Sequence, residues 1–485
     1  MCLPASTNRK TFLAQNQIKM NITKLKLTNF RSFEEFELDL NPGFNLVIGD
    51  NAKGKTTILD ALAVGIGSLF LGFPEPAKSK GIKTEDIRHK FFESGQRITS
   101  EAQYPCQVHC EGSIGDQSGR WMRERVQPEG RTTWGDANWI HELSKTVHAK
   151  IQNGDQSEFL PAIAHYGTER LWKQLSFSDT KILSPESRFS GYVDCLNPAS
   201  NEKRLFEWFK TAELTALQNG KPLEVLEACR MAIVGCIPDV THAYYDVSFD
   251  QLILTTNDGT IPFGYLSDGY RNMLAVVADL AVKCATLNPQ MGKEATHCQG
   301  VVLIDEIDLH LHPKWQRRVV SDLMKVFPNI QFVATTHSPF IIQSLPPNQK
   351  VKLINLDGSE LDHISDRSVE EIVEWVQGVE MPQRSQRHID MMKTAEEYFT
   401  LLDDDAATTD EVKQEKRDEL QKAIQIHTDN PAYHAFIRMK EIAGEKANGG
   451  NESQFKGRDR RVIDLDEHEP EGDSPSEQEN SGGDE

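Results

Sequence analysis

The stretch Phe44-Asn-Leu-Val-Ile-Gly-Asp-Asn-Ala-Lys-Gly-Lys-Thr-Thr57 decides the fold, because it joins a short buried-type strand to a glycine-rich turn, and helical spacing begins at once with Ile58, Leu62 and Ile66. Gly49 to Thr56 fits the pattern G-x-x-x-x-G-K-[ST]. In that arrangement successive backbone N–H groups and the helix N-terminus form a cradle for phosphate. The lysine reaches the β- and γ-phosphates, and the hydroxyl after it holds Mg²⁺. Gly49, Asp50, Asn51, Ala52, Lys53, Gly54, Lys55, Thr56 and Thr57 are therefore the candidate nucleotide-binding set, with Lys55 also placed to act on the reacting phosphate and Thr56 to act as metal ligand. A strand before the turn and a helix after it distinguish this reading from a glycine-rich turn with a solvated lysine.

A second stretch, Val301-Val-Leu-Ile-Asp-Glu-Ile-Asp-Leu-His-Leu-His-Pro313, runs four apolar residues straight into three acids and two histidines. Charges so close to a core are costly unless something binds them. Direct metal ligation, a catalytic carboxylate pair, and a nucleotide with its magnesium would each answer; the phosphate loop upstream selects the last. Asp305 then serves the metal and Glu306 orients the attacking water. Leu266-Ser-Asp-Gly-Tyr-Arg271 opens another helix, with Ser267 as N-cap and Gly269 leaving room for a ligand near the backbone. Thr335-Thr-His-Ser-Pro339 sets His337 just past a buried strand, within reach of a γ-phosphate. His310 and His312 find no third or fourth ligand at metal spacing. Cys106, His109 and Cys110 sit in a strand-like segment whose alternation separates their side chains, so neither group is taken as a metal site.

In this order the phosphate loop, LSDGYR, VVLIDE and TTHSP resemble the ABC-type ATPase heads of the RecF, SMC and OLD-like class, together with Asn29-Phe-Arg-Ser32 in the first strand region. The resemblance covers Met20 to about Leu356. It implies that Ser267 and Gly269 form a signature motif given in trans to a second subunit's ATP. It also implies Asp305 and Glu306 as Walker B and catalytic base, Asp308 in a D-loop, and His337 as switch histidine. Such heads sandwich two nucleotides between head-to-tail subunits. More narrowly, HYGTERLW at His165 to Trp172, LSDGYRNMLA, IDLHLHPKWQRRV and Asp429-Asn-Pro-Ala-Tyr433 resemble the stand-alone bacterial ATPases of Septu and retron-associated anti-phage systems. Their partner is often an HNH-type nuclease. Three departures stand out: Ala52 and Lys53 replace a glycine and a small residue, Asp268 replaces the first glycine of LSGGQ, and the Q-loop is matched only in position, by the Tyr166 to Arg170 turn.

The expected fold is α/β: an ABC-ATPase head, a P-loop NTPase sheet with helices, carrying an inserted subdomain and a C-terminal helical region. The expected boundaries are an N-terminal extension at 1–19, a lobe with the phosphate loop at 20–75, an inserted region at 76–260 that rejoins the sheet near 160–172, a second lobe at 261–365, helices at 366–448, and a disordered acidic tail at 449–485. Period-two alternation marks strands at Lys24 to Leu27 and Phe36 to Leu40, and another lies around Gln107 to Ile114. Phe159 to Gly167 returns to the core sheet, Leu205 to Ala232 is mostly helical, and Asp246 to Phe263 is a hairpin turning at Asp258-Gly259. Met273, Val277, Leu280 and Cys284 mark an amphipathic helix.

The totals agree with a globular protein. The chain has 485 residues, 38% of them hydrophobic, enough for two or three domains. Its net charge of -20 looks hostile to nucleic acid, yet ten acids and no Lys or Arg lie between Asp464 and Glu485, and without those ten charges the body stands at -10. A RecF-like repair or chromosome-maintenance ATPase acting directly on DNA therefore remains the alternative, since a local basic stripe would suffice. An OLD-type nuclease would need a strand followed by Glu-Gly, and Val351 to Gly358 lacks the glutamate. Eight cysteines without a secretory signal imply free thiols and a cytoplasmic location. The longest apolar run, Ala61 to Phe73, falls short of the ~20 residues of a membrane span. ATP and Mg²⁺ as cofactors, further copies of the chain in a head-to-tail dimer or higher oligomer and an HNH-type nuclease as partners, nucleic acid as a further candidate partner, and no membrane complete the expectation.

Overall fold

A computed structural model describes residues 20–75, 77–94, 97–171, 187–198, 202–358, 367–379, 381–385, 389–390, 392–393, 415 and 418. The expected N-terminal extension, most of the C-terminal helical region and the acidic tail lie outside these residues. The chain divides into two compact units, Met1–Pro382 and Gln383–Glu485, and the elements named here belong to the first.

Fourteen strands are described in chain order: β1 Met20–Phe30, β2 Phe33–Asp39, β3 Phe44–Ile48, β4 His89–Ser94, β5 Arg97–Ala102, β6 Cys106–Ile114, β7 Gln117–Arg125, β8 Ala162–Tyr166, β9 Val240–Asp246, β10 Gln251–Thr256, β11 Gly259–Pro262, β12 Gly300–Ile304, β13 Ile330–Thr335 and β14 Val351–Asn355. The helices are α1 Lys55–Ile66, α2 Asn138–Gln152, α3 Glu202–Asn219, α4 Glu224–Cys236, α5 Asp268–Leu287, α6 Pro313–Gln316, α7 Val319–Val326, α8 Pro339–Gln343 and α9 Val369–Trp375.

The centre is a parallel five-stranded sheet in the order β14-β3-β13-β12-β8. Every residue of β3, β8, β12 and β13 is buried, which is why these strands read as apolar runs rather than alternations. All five carboxyl ends lie on one edge. Ligands of open parallel sheets bind beyond that edge, and the phosphate loop, Asp305, Thr335, Asp357 and the turn after Tyr166 all follow or close strands there.

A second, antiparallel sheet in the order β2-β1-β6-β7 covers helix α1. Ten of the twelve residues of α1 are buried, as expected of a helix that is apolar nearly all round and packed on both sides. The approach is close: the Trp121 indole donates to the Gly65 carbonyl at 3.0 Å, and a Cβ at Gly65 would lie 2.4 Å from the Cys110 sulfur. The apolar run at Ala61 to Phe73 is thus a core helix and the 3-10 turn that follows it.

Within the span 76–260 the chain rejoins the parallel sheet at β8, inside the expected 160–172, and β6 and β7 also belong to the antiparallel sheet. The strand expected at Gln107 to Ile114 is β6, which pairs with β1, while β8 enters the parallel sheet; the β4-β5 hairpin and the β9-β10-β11 sheet are separate. The pairing of β6 with β1, across some eighty intervening residues, leaves no local trace in the sequence. The hairpin turns one residue earlier than expected, at Asn257-Asp258, with Thr256 opposite Gly259. Strand β6 also corrects the reading of its cysteines. Cys106 and Cys110 share its buried face, with burial pushing both thiols up to about 12, and only His109 points the other way.

Buried amides join the two sheets. Gln331 of β13 accepts from the Ile22 N–H at 2.8 Å and donates to the carbonyls of Ile22 and Asn41 at 2.7 and 2.8 Å, beside the register shift in β1. Asn45 of β3 donates to Asn41 and Phe332 carbonyls. Gln331→Leu would take this partner from the buried N–H and carbonyl of Ile22, while the Asn41 carbonyl keeps Asn45, a loss of about 2–4 kcal/mol. Denaturant unfolding should show that loss as a lowered midpoint with an unchanged slope.

Candidate nucleotide site at the sheet edge

The phosphate loop leaves β3 at Gly49 and closes on Gly54, the residue before α1, at φ 93°. A side chain at Gly54 would be strained twice, by that φ and by the Phe33 ring, 2.5 Å from where its Cβ would sit. Ala52 takes φ 66°, an uncommon conformation for a residue with a Cβ, costing on the order of 1 kcal/mol. Lys53 turns outward, its ammonium 3.3 Å from the Asp357 carboxylate, whose other oxygen accepts from the Asp50 N–H at 2.9 Å. Asp357, just past β14, therefore braces the loop from outside at Asp50 and Lys53, on either side of Ala52.

Inside the loop, Lys55 is nearly buried and donates to the Gly49 and Asp50 carbonyls at 2.7 and 2.8 Å. Burial lowers its pKa, opposed by the carboxylates of Asp305, Asp357, Asp50 and Glu306. The surroundings of the lysine are thus rich in acid. A triphosphate entering them would be repelled unless a cation came with it.

Asp305 follows β12 and is held from three sides. Its Oδ2 accepts from the Thr56 hydroxyl at 2.8 Å, its Oδ1 from the Thr335 hydroxyl at 2.6 Å, and its N–H donates to the Tyr166 carbonyl at 2.8 Å. The Thr335 oxygen also accepts from the Glu306 N–H at 2.7 Å. Glu306 sits at φ 47°, in the left-handed region, with its side chain partly exposed. The paired oxygens of Thr56 and Asp305 fit a hard divalent ion. Metal–oxygen distances near ~2.1 Å in an octahedron put neighbouring ligand oxygens about 3 Å apart.

The remaining expected residues are placed as follows. His337 is exposed, and its carbonyl accepts from Gln377 at 2.7 Å. Asp308 accepts from the Thr336 hydroxyl. Ser267 stands at the N-cap of α5 but makes no side-chain capping bond, so that part of its expected role is absent. A Cβ at Gly269 would lie 2.8 Å from the His310 carbonyl, so the space this glycine leaves is filled within the chain. Among the described residues no hydrogen bond or ion pair joins Ser267 or Gly269 to the phosphate loop. The His312 ring nitrogen accepts from the Lys314 N–H as the cap of α6, and no group of three His, Cys, Asp or Glu among the described residues could hold a metal.

Sequence reasoning missed Thr335, Asp357 and the importance of Arg170. Thr335 had a signal, a hydroxyl ending an all-buried strand beside β12, since Ile304 pairs with Ala334. Asp357 had none, because β14 carries no phosphate-loop pattern. Arg170 reads in the sequence only as part of a turn; the structure buries it, with Nη1 2.7 Å from the Asp305 carbonyl and Nη2 2.9 Å from that of Glu306.

Residues 24–222 match a family model described as AAA domain, and residues 243–343 one described as AAA domain, putative AbiEii toxin, Type IV TA system. The Retron Vc95 probable ATPase of Vibrio cholerae is 34% identical over 403 residues, covering 72% of this chain and 75% of that one. The Septu protein PtuA of Bacillus thuringiensis is 25% identical over 339 residues, 68% and 75% of the two chains. The Retron Ec83 probable ATPase of Escherichia coli is 25% identical over 394 residues, 67% and 70% of the two. The chain belongs to the RecF/SMC/OLD-like class of ABC-type ATPases, in the family that contains the Septu and retron-associated ATPases.

Proposed function

We propose that the chain hydrolyses Mg-ATP at sites completed between two head-to-tail copies, and that it serves as sensor and regulator in anti-phage defence in the bacterial cytoplasm by gating a partner nuclease of HNH type. The observation that carries the enzymatic part is the contact of Thr56 with Asp305 beside the phosphate loop, with Thr335 setting both Asp305 and Glu306. The membership in a family of Septu and retron ATPases supports the defence part.

In this reading the backbone N–H groups of Gly49 to Thr57 bind the phosphates, and Lys55 exchanges its two carbonyl partners for phosphate oxygens. Thr56 and Asp305 would hold Mg²⁺, which would supply neutralisation of the charge on the phosphates. Glu306 orients a water and takes its proton as the water oxygen bonds to the γ-phosphorus and the bond to the bridging oxygen breaks, leaving ADP and phosphate. His337 contacts the γ-phosphate from the end of β13. Ser267 and Gly269, remote from their own loop in hydrogen bonding, face the nucleotide of the second copy.

Glu306→Gln should keep ATP binding while turnover falls on the order of 10²- to 10⁴-fold, the usual weight of a general base; phosphate release beside binding of a fluorescent ATP analogue reads both, and undiminished hydrolysis would remove Glu306 from its role. Lys55→Ala should weaken ATP binding about 10- to 100-fold, the worth of charge-assisted hydrogen bonds to phosphate, and titration calorimetry in magnesium buffer checks it. For the partner, co-expression with an HNH-type nuclease, where sequencing of the flanking genes finds one, should give a stable complex whose DNA cleavage changes when ATP is depleted. Salt-dependent DNA binding by the isolated chain would instead favour the RecF-like alternative.

A further inference from the structure

Arg170 lies in the single 3-10 turn Thr168–Leu171 after β8 and is 2% exposed. Nη1 of its guanidinium donates to the carbonyls of Gly167 at 2.9 Å and Asp305 at 2.7 Å, Nη2 donates to that of Glu306 at 2.9 Å, and Nε to the Asn272 side-chain oxygen. Asn272 is equally buried and passes the link on, donating to the Leu309 carbonyl. Two side chains thus tie together four backbone segments: the end of β8, the end of β12, the turn from Glu306 to His310, and the second turn of α5.

The start of α5 is pressed on the same turn. Gly269 approaches the His310 carbonyl, and the Tyr270 ring packs edge-on against Trp315 of α6, just beyond that turn, 4.4 Å between centroids. A displacement of the first turn of α5 therefore cannot leave the Glu306 to His310 turn where it was. Glu306 is the responsive point: its left-handed backbone is held by Thr335 at the N–H and by Arg170 at the carbonyl. Loosening either hold favours relaxation toward the right-handed region, which re-aims the carboxylate. Burial opposes the arginine's charge and lowers its pKa to about 10, with Asp305, Glu306 and Asp308 acting against that fall, so the group is costly to keep here unless its bonds are used.

We propose that Arg170, with Asn272, is a positioning residue that transmits the seating of the first turn of α5 to the backbone of Glu306, so that the two sites of a dimer fire together. This rests on the head-to-tail reading of the previous section. A guanidinium suits the task because its planar fork engages several carbonyls at once, which an ammonium on a flexible stem cannot do.

The test uses the full chain and the variants Arg170→Lys and Asn272→Ala, with Glu306→Gln as control. Each is measured for thermal midpoint, affinity for a fluorescent ATP analogue, kcat, KM and Hill coefficient. Wild type should hydrolyse with a Hill coefficient above one. Arg170→Lys should bind the analogue within about threefold of wild type, lose on the order of 10- to 100-fold in kcat, and fall to a Hill coefficient of one. Asn272→Ala, which spares the arginine's three carbonyl contacts, should show the same loss of cooperativity and covers the case in which Arg170→Lys does not fold. Wild-type kcat and cooperativity in a folded variant, or a loss confined to affinity and KM, would overturn the inference. Failure of wild type to hydrolyse ATP, or full activity in Glu306→Gln, would instead defeat the function proposed above.

Discussion

The Asp305 carboxylate, fixed between the hydroxyls of Thr56 and Thr335, is the interaction on which the rest of the arrangement depends. It joins the first turn of α1 to the ends of two neighbouring parallel strands. A carboxylate almost shut off from water would be costly alone. Two hydroxyl donors and the fixed backbone around it compensate for that cost and leave the paired Thr56 and Asp305 oxygens facing the loop. Glu306 inherits its place from the same hydroxyl, since Thr335 donates to Asp305 and accepts from the Glu306 N–H.

The geometry holds only if the strands keep register and the loop keeps shape. Register is secured by two buried amides: Gln331 crosses from the parallel sheet to Ile22 of the antiparallel one, and Asn45 ties β3 to β13 and to the loop before it. Shape is secured by Asp357, which compensates for a loop lacking two of its usual small residues. Both devices are polar and directional. Apolar packing around α1 supplies cohesion, but it would tolerate small slides that would part Thr56 from Asp305.

A similar economy appears at the other end of the site. One arginine serves the carbonyls of Gly167, Asp305 and Glu306 and reaches α5 through Asn272. The helix that begins with Asp268 and Gly269 is thereby joined to Asp305, which is hydrogen-bonded to Thr56 of the chain's own phosphate loop, and to Glu306 beside it. Communication between sites, on this view, needs no large motion, only a backbone at Glu306 that is held in a conformation it would not choose unaided.

The sequence by itself determined the phosphate loop, the acids after a buried strand, the strand ahead of His337 and the α/β class, because each is written in residues adjacent along the chain and backed by local periodicity. It also supplied the family resemblance, since motif order survives without coordinates. Tertiary structure alone decided that residues 106–125 complete the sheet begun at Met20, that Gly269 makes room for the His310 carbonyl, and that Thr335, Asp357 and Arg170 hold the site together. The physical reason is common to all of these. Hydrogen bonds between segments tens to hundreds of residues apart depend on strand order and register, which arise from burial summed over the whole chain and leave no mark in any short stretch of it.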